Sequence, residues 1–204
     1  MLLLLEGNDL WANLKTSFVD IDELLLFLKK QKFSGYLYFV FSDSQCALFL
    51  QQGDVVNGVV ALQEERNVGT RAVKRTLIRS RQDKTGTIRV TQLPLQDMEL
   101  LSEAYGLSVR LLHKNLSSKY SDLEQFIDKL QVESFSGWIE MWFTVDDRHG
   151  ILFFEDGRPQ AIMTAELLVA VKEGTPAQLK FSAHFIEKAQ RSGVRYSAFI
   201  AGSA

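Results

Sequence analysis

The chain repeats part of its own sequence, and this repeat restricts the folds that its 204 residues can adopt. Three short segments recur 102 residues further on: 13–14 at 115–116, 18–21 at 120–123, and 33–35 at 135–137. A self-match with a fixed period indicates that one supersecondary unit is used twice. We therefore predict two tandem repeats, each of about 80–100 residues, which is a normal size for a small domain.

Each repeat is predicted to be a helix followed by an antiparallel β-meander. Asp20 and Asp122 precede apolar residues at helical spacing, and each can cap the first turn. Each helix is expected to end before its Phe-Ser-Gly segment, in which Gly35 and Gly137 can take backbone angles that other residues resist. Gln52-Gly53 and Asp156-Gly157 predict tight hairpins. Strands are predicted over 36–41, 46–50, 55–60 and 87–91 in the first repeat, and over 138–144, 151–154, 160–164 and 178–181 in the second.

The two repeats diverge before their final strands. Aligning Ala61 with Ala165 and Ile88 with Leu179 makes the second repeat 13 residues shorter. We therefore predict that it lacks the helix expected over about 68–80 in the first, a length of three to four turns. Residues 95–114 are predicted to form a helical connector, broken near Gly106. The predicted fold class is α+β, with the first repeat and its extra basic helix over 1–94, the connector over 95–114 and a shorter second repeat over 115–204.

This pattern resembles the PATAN-type domain, named for the N-terminal region of cyanobacterial PatA response regulators. The matching features are the Leu-rich helix 20–30, Ser34-Gly35 and the hairpin 48–56, with 122–131, Ser136-Gly137 and 151–158 as their second copy. The resemblance implies a bacterial module, often fused to response-regulator or other signalling modules, that mediates protein–protein contacts.

A basic segment is the strongest charge feature. Eight basic residues lie from Arg66 to Arg89, opposed only by Asp83, although the whole chain has a formal net charge of −2. Residues 72, 73, 76 and 77 are expected to face the sheet and leave a charged stripe outside. The predicted partner-binding residues are Arg71, Lys74, Arg75, Arg79 and Arg81. The stripe could attract an acidic protein surface or phosphates, or it could be an ordinary solvated face.

Aromatic residues mark the first strand of each repeat. Alternation places Tyr36 and Tyr38 on one face of the sheet and Trp138 and Trp142 on the corresponding face of the second repeat. A core with two covered faces explains this pattern. A possible aromatic interface with a second chain, giving a homodimer, is the alternative.

Signatures of catalysis, metal binding and cofactors are weak in this sequence. His113, His149 and His184 lack paired ligand spacing, and the acidic residues 146, 147, 155 and 156 are expected in turns. Cys46 lies in a predicted strand, as a small buried hydrophobe would. We therefore predict no enzyme activity, no metal and no cofactor.

The single cysteine fits a reducing compartment, so we expect a cytoplasmic protein. No run approaches the ~20 apolar residues that a membrane span requires. The predicted function is a non-enzymatic interaction or adaptor module in bacterial signalling, with an unidentified, possibly acidic, protein partner. The alternative is a nucleic-acid-associated protein that uses the same basic stripe.

Overall fold

Antiparallel strands and four helices make up the described part of the chain, so the fold class is α+β. The computed structural model describes residues 2–143, 149–165, 168–170, 187, 191 and 193–201, with the side chains of 168–170 excepted. Two compact units are present. The first contains residues 6–108, and the second contains the chain from residue 109 onward together with residues 3–5.

The first unit is a sheet with helices on both faces. Its elements are β1 (Asn8–Lys15), α1 (Ile21–Lys30), β2 (Gly35–Val40), β3 (Gln45–Gln51), β4 (Asp54–Ala61), β5 (Glu65–Val68), α2 (Gly69–Gln82), β6 (Thr87–Gln92) and α3 (Leu95–Ala104). The strands lie in the order β1-β6-β2-β3-β4-β5. One face carries the main core, in which Leu28 of α1 and Ala72 of α2 pack against Leu37, Leu48 and neighbouring residues.

The second unit has a sheet of similar construction. Its elements are β7 (Val109–Ser117), α4 (Leu123–Val132), β8 (Gly137–Phe143), β9 (His149–Glu155), β10 (Arg158–Thr164), β11 (Leu168–Ala170) and β12 (Val194–Ala201). The strands lie in the order β7-β12-β8-β9-β10-β11. Leu123, Ile127 and Leu130 of α4 are buried in a core with Ile139 and Met141 of β8.

Both predicted helix caps are confirmed. The Asp20 carboxylate accepts hydrogen bonds from the backbone N–H groups of Asp22 and Glu23, at 3.0 and 3.2 Å. The Asp122 carboxylate accepts from the equivalent groups of α4, at 2.9 and 3.2 Å. These N–H groups have no partner within a helix, so the caps fix where α1 and α4 begin.

Both helices end before the Phe-Ser-Gly segments, as predicted, α1 at Lys30 and α4 at Val132. Lys32 (φ 49°) and Ser134 (φ 51°) take the left-handed position after each helix. The N–H of Phe33 bonds to the carbonyl of Leu28 across this turn at 3.0 Å, as in a Schellman motif. Gly35 and Gly137 instead open β2 and β8, both with φ 152°. A Cβ atom at Gly35 would collide with the carbonyl oxygen of Thr91, so this position admits no side chain.

The Phe-Ser-Gly segment fastens the hairpin that follows it. The carbonyl of Phe33 accepts from the Gly53 N–H at 2.7 Å, and the Ser34 hydroxyl accepts from the Gln52 N–H at 3.0 Å. In the second unit, residues 135 and 136 make the same two bonds to residues 157 and 156, at 2.8 and 2.9 Å. Gln52 and Gly53 both have positive φ, as do Asp156 and Gly157, which confirms the tight hairpins.

The predicted connector over 95–114 is helical only in part. Helix α3 ends at Ala104, and β7 begins at Val109. The sequence also gave no indication of β1, which is mostly exposed and irregular in register, with Asn13 in the left-handed region at φ 59°. Bulged edge strands lose the alternation by which strands are recognised.

The alignment that predicted a shorter second repeat does not agree with the strand pairing. Phe39 of β2 pairs with Ile88, and Met141 of β8 pairs with Tyr196 of β12. Ile88 therefore corresponds in pairing to Tyr196, 108 residues later, and not to Leu179. The predicted strand 178–181 lies outside the described residues. With this register, the paired positions lie 55 residues apart in the second unit and 49 apart in the first, and almost all of the stretch in which an extra helix would lie, 171–192, is outside the described residues.

Candidate partner-binding surface

Helix α2 packs one face on the sheet, as its spacing predicts. Ala72, Thr76 and Ser80 are buried at intervals of four residues, and Val73 and Leu77 pack at the edge of the core. Buried residues repeated at this interval define one stripe of an α-helix. Side chains on the opposite side of α2 must therefore point away from the core.

Three basic residues remain unpaired on that outer side. Arg71, Lys74 and Arg75 are exposed, and none forms an ion pair with any residue that the structure describes. Ile78 follows them on the same side and is 53% exposed. We call these four residues the α2 basic surface. It presents three positive charges beside one exposed apolar side chain.

Arg79, in contrast, is held inside the first unit. Its guanidinium lies 2.6 Å from the Asp43 carboxylate and 3.4 Å from that of Asp83, and it donates to the Ser44 hydroxyl at 3.0 Å. It also lies 4.5 Å from the centre of the Phe41 ring, and its side chain is only 22% exposed. The hydrogen bond from Arg79 holds the pKa of Asp43 below its usual range. The structure therefore places this predicted binding residue in an internal cluster.

Arg81 is also paired. Its Nε and Nη2 atoms contact the two carboxylate oxygens of Asp22 at 3.0 and 2.6 Å, which ties α2 to α1. This bidentate geometry lowers the pKa of Asp22 and raises the pKa of Arg81, chiefly through the hydrogen bonds between them. Of the five predicted binding residues, the structure leaves Arg71, Lys74 and Arg75 available for an external contact.

The electrostatics of α2 strengthen the field of this surface. The first turn of the helix contains no acidic residue, and Val68 at its N-cap provides no side-chain hydrogen bond. The neutral Asn57 side chain accepts from the Gly69 N–H at 3.0 Å, but no carboxylate of the first turn offsets the positive end of the helix dipole next to Arg71. A concentrated positive field of this kind attracts anionic surfaces and accelerates their association.

The predicted aromatic interface is divided between buried and half-buried residues. Tyr36 and Trp138 are each only 1% exposed, so neither is available to a second chain. Tyr38 and Trp142 are half-buried. The Arg89 guanidinium lies 5.2 Å from the centre of the Tyr38 ring, while burial raises the pKa of Tyr38 to about 12. The expected alternation is confirmed, because residues 37, 39 and 41 and residues 139, 141 and 143 face the helix-covered cores.

Within the part of the chain that the structure describes, the other candidate chemical groups form no recognisable site. Cys46 is 1% exposed, and burial raises the pKa of its thiol. It lies in β3 of the first unit, whereas His149 lies in β9 of the second. Among the described residues, no group of three or more His, Cys, Asp or Glu side chains is arranged to hold a metal ion. His184, Asp146 and Asp147 lie outside the described residues.

Two surface features were not predicted from the sequence. Helix α3 contains Asp97, Glu99 and Glu103 and no basic residue, a composition that is visible in the sequence. Phe18 and Tyr120, at equivalent positions of the repeated segment, are 87% and 92% exposed. Their apolar character gave no signal of exposure, because it matched the pattern expected of a core residue.

Comparison with known proteins adds no family assignment. No protein-family model, curated protein or solved structure matches this chain. Within the part of the chain that the structure describes, no helix is long and apolar enough to cross a membrane.

Proposed function

We infer that this protein is a non-enzymatic protein–protein interaction module and that its contact surface is the α2 basic surface. One observation supports this function above the others. Arg71, Lys74 and Arg75 are exposed and have no ion-pair partner among the described residues, while Arg79 and Arg81 on the same helix are neutralised by carboxylates of their own unit. Unpaired charges on a rigid helix are available to a partner without any rearrangement of the fold.

The exposed Ile78 favours a protein partner over a nucleic acid. Contact centres between proteins combine apolar and arginine side chains, whereas a phosphate backbone offers an isoleucine nothing to pack against. The partner we propose has an acidic surface with at least one apolar side chain at its centre. The alternative partner, a nucleic acid, would need the positive charges alone, and its binding would weaken steeply with salt.

The proposal also covers the evolutionary origin of the two units and the cellular process in which the protein acts. We propose that the two units are copies of one ancestral PATAN-type unit and that the protein acts in bacterial signalling in the cytoplasm. The matching caps at Asp20 and Asp122, and the matching hairpin contacts of Ser34 and Ser136, support common descent of the units. The resemblance to signalling modules supports the setting.

Affinity capture from a native lysate tests the proposed function. The tagged chain is compared with R71E/K74E/R75E, with and without nuclease. The control K30E/K114E/K119E makes the same change in net charge at exposed lysines that are not part of α2. We expect a protein that survives nuclease, is retained by the control and is lost from the α2 variant. Equal capture by both variants would refute the assignment, and capture that requires nucleic acid would favour the alternative.

A further inference from the structure

The first unit carries an acidic surface as well as a basic one. We call Asp97, Glu99 and Glu103 the α3 acidic surface. Glu99 accepts a hydrogen bond from Gln51 at 2.7 Å, but none of the three forms an ion pair with a described residue. Glu99 and Glu103 are exposed one helical turn apart, and Asp97 is half-buried. Its three negative charges equal in number the three unpaired positive charges of the α2 basic surface.

The two surfaces lie on opposite faces of the same sheet. Leu48 of β3 packs in the core that α2 covers. The next residue, Phe49, stacks on Tyr105 at the end of α3, with ring centres 5.8 Å apart. Successive side chains of a strand point to opposite faces, so α2 and α3 cover different sides. The α2 basic surface therefore cannot reach the α3 acidic surface of its own first unit.

We propose that the α2 basic surface of one chain docks on the α3 acidic surface of a second copy. This inference depends on the proposed function, because it names the acidic partner of the same surface. Leu95, which is 38% exposed at the start of α3, supplies an apolar contact for Ile78. Charge complementarity sets the orientation, since α2 against α2 and α3 against α3 would each bring like charges together.

The contact joins two different surfaces, so it is heterologous and leaves one of each surface free at the ends of every open assembly. Such contacts extend into open chains unless the geometry closes a ring. We therefore expect concentration-dependent growth beyond a dimer. Exposed ion pairs are screened by salt, so the assemblies should dissociate as ionic strength rises.

Sedimentation velocity of the full chain over a range of concentrations tests the inference. Raising the salt from about 0.1 M to about 1 M shortens the Debye length from about 10 Å to about 3 Å. Association that depends on the charges of the two surfaces should therefore weaken at the higher salt concentration. R71E/K74E/R75E and D97K/E99K/E103K should each remain monomeric, because attraction becomes repulsion. An equal mixture of these two variants restores opposite charges and should associate again at about 0.15 M salt, where long-range attraction between net charges is screened. Far-ultraviolet circular dichroism confirms that each variant is folded.

A control variant and three possible results decide whether the inference fails. K30E/K114E/K119E changes the net charge from −2 to −8, as the α2 variant does, and should associate like the original chain. A chain that stays monomeric at all concentrations in low salt would overturn the inference. So would variants that associate normally, or a mixture that stays monomeric. In each of these cases a foreign protein captured through α2 would leave the proposed function standing.

Discussion

Replacing Arg79 or Arg75 by alanine tests which of these two arginines contributes to the stability of the fold and which is available to a partner. The two residues lie one turn apart on α2, and both were predicted from the sequence to bind a partner. In the structure, Arg79 contacts Phe41 and Ser44 and Arg75 is exposed. We therefore expect Arg79→Ala to destabilise the first unit and Arg75→Ala to leave its stability unchanged.

The contacts of Arg79 set the size of the effect. A guanidinium over an aromatic ring at this distance contributes about 0.5–1 kcal/mol at a partly exposed site. The hydrogen bond to the buried Ser44 adds about 1 kcal/mol. The ion pairs add little to this, because the Asp43 carboxylate is 65% exposed to screening water and the Asp83 pair is long, at 3.4 Å. The expected loss is about 1.5–2 kcal/mol for Arg79→Ala, and less than about 0.5 kcal/mol for Arg75→Ala.

Urea unfolding followed by circular dichroism measures both values. With a slope of about 1–3 kcal/mol per molar urea, the Arg79→Ala midpoint should fall by roughly 1 M. Arg79→Lys retains the charge but loses the planar group, so its midpoint should lie between those of the original chain and Arg79→Ala. Equal midpoints for Arg75→Ala and Arg79→Ala would refute the internal role of Arg79.

Three further predictions follow from particular contacts. Because Arg81 lowers the pKa of Asp22, their ion pair stabilises the fold above the ordinary Asp pKa, and this stabilisation is lost as the pH falls through the lowered value. Asp22→Asn should therefore be less stable than the original chain at neutral pH, and the difference in unfolding free energy should vanish in acid. Gly53→Ala should cost more than about 1 kcal/mol in urea unfolding, because Gly53 has φ 89° and an added Cβ would clash with Lys29. Cys46 should react with a thiol reagent only after unfolding, and fast labelling of the native chain would contradict its burial.

Local chemistry explains the parts of the fold that could be predicted. A cap such as Asp20 needs only a carboxylate before an apolar periodic segment, and a hairpin such as Asp156-Gly157 needs only residues that tolerate positive φ. The alternation of Tyr36 and Leu37 between two faces follows from the strand itself. All of these features depend on residues that are close in the sequence, so the sequence alone was sufficient.

Long-range pairing explains the parts that could not be predicted. Residues 178–181 resemble residues 87–91 in sequence, but β12 is the strand that pairs with β8. Nothing in a strand's own composition states which distant strand will be its neighbour. The connector was predicted wrongly for a related reason, since Val109 begins a strand whose partners in β12 lie 78 to 92 positions further along the chain.

The candidate site, like the fold, could be predicted only where it depends on local sequence. Helical spacing correctly placed Arg71, Arg75 and Arg79 on a stripe, but it could not tell which charge would be paired. Asp43, the partner of Arg79, stands in a turn 36 residues earlier and reaches it only in the folded sheet. Sequence spacing therefore identifies charged surfaces, whereas tertiary contacts decide which of their charges remain available.

The repeated Phe-Ser-Gly segment stabilises the fold, whereas the α2 basic surface is available to a partner. Both polar groups of the segment that contact the hairpin, the Phe33 carbonyl and the Ser34 hydroxyl, are occupied by backbone N–H groups of their own unit. A substitution there removes a folding contact and cannot report on a partner. Arg71, Lys74 and Arg75 make no comparable contact within the described residues, so their loss leaves the core intact. The most conspicuous pattern in this sequence therefore specifies its scaffold, and the function we propose depends on charges that the scaffold leaves unpaired.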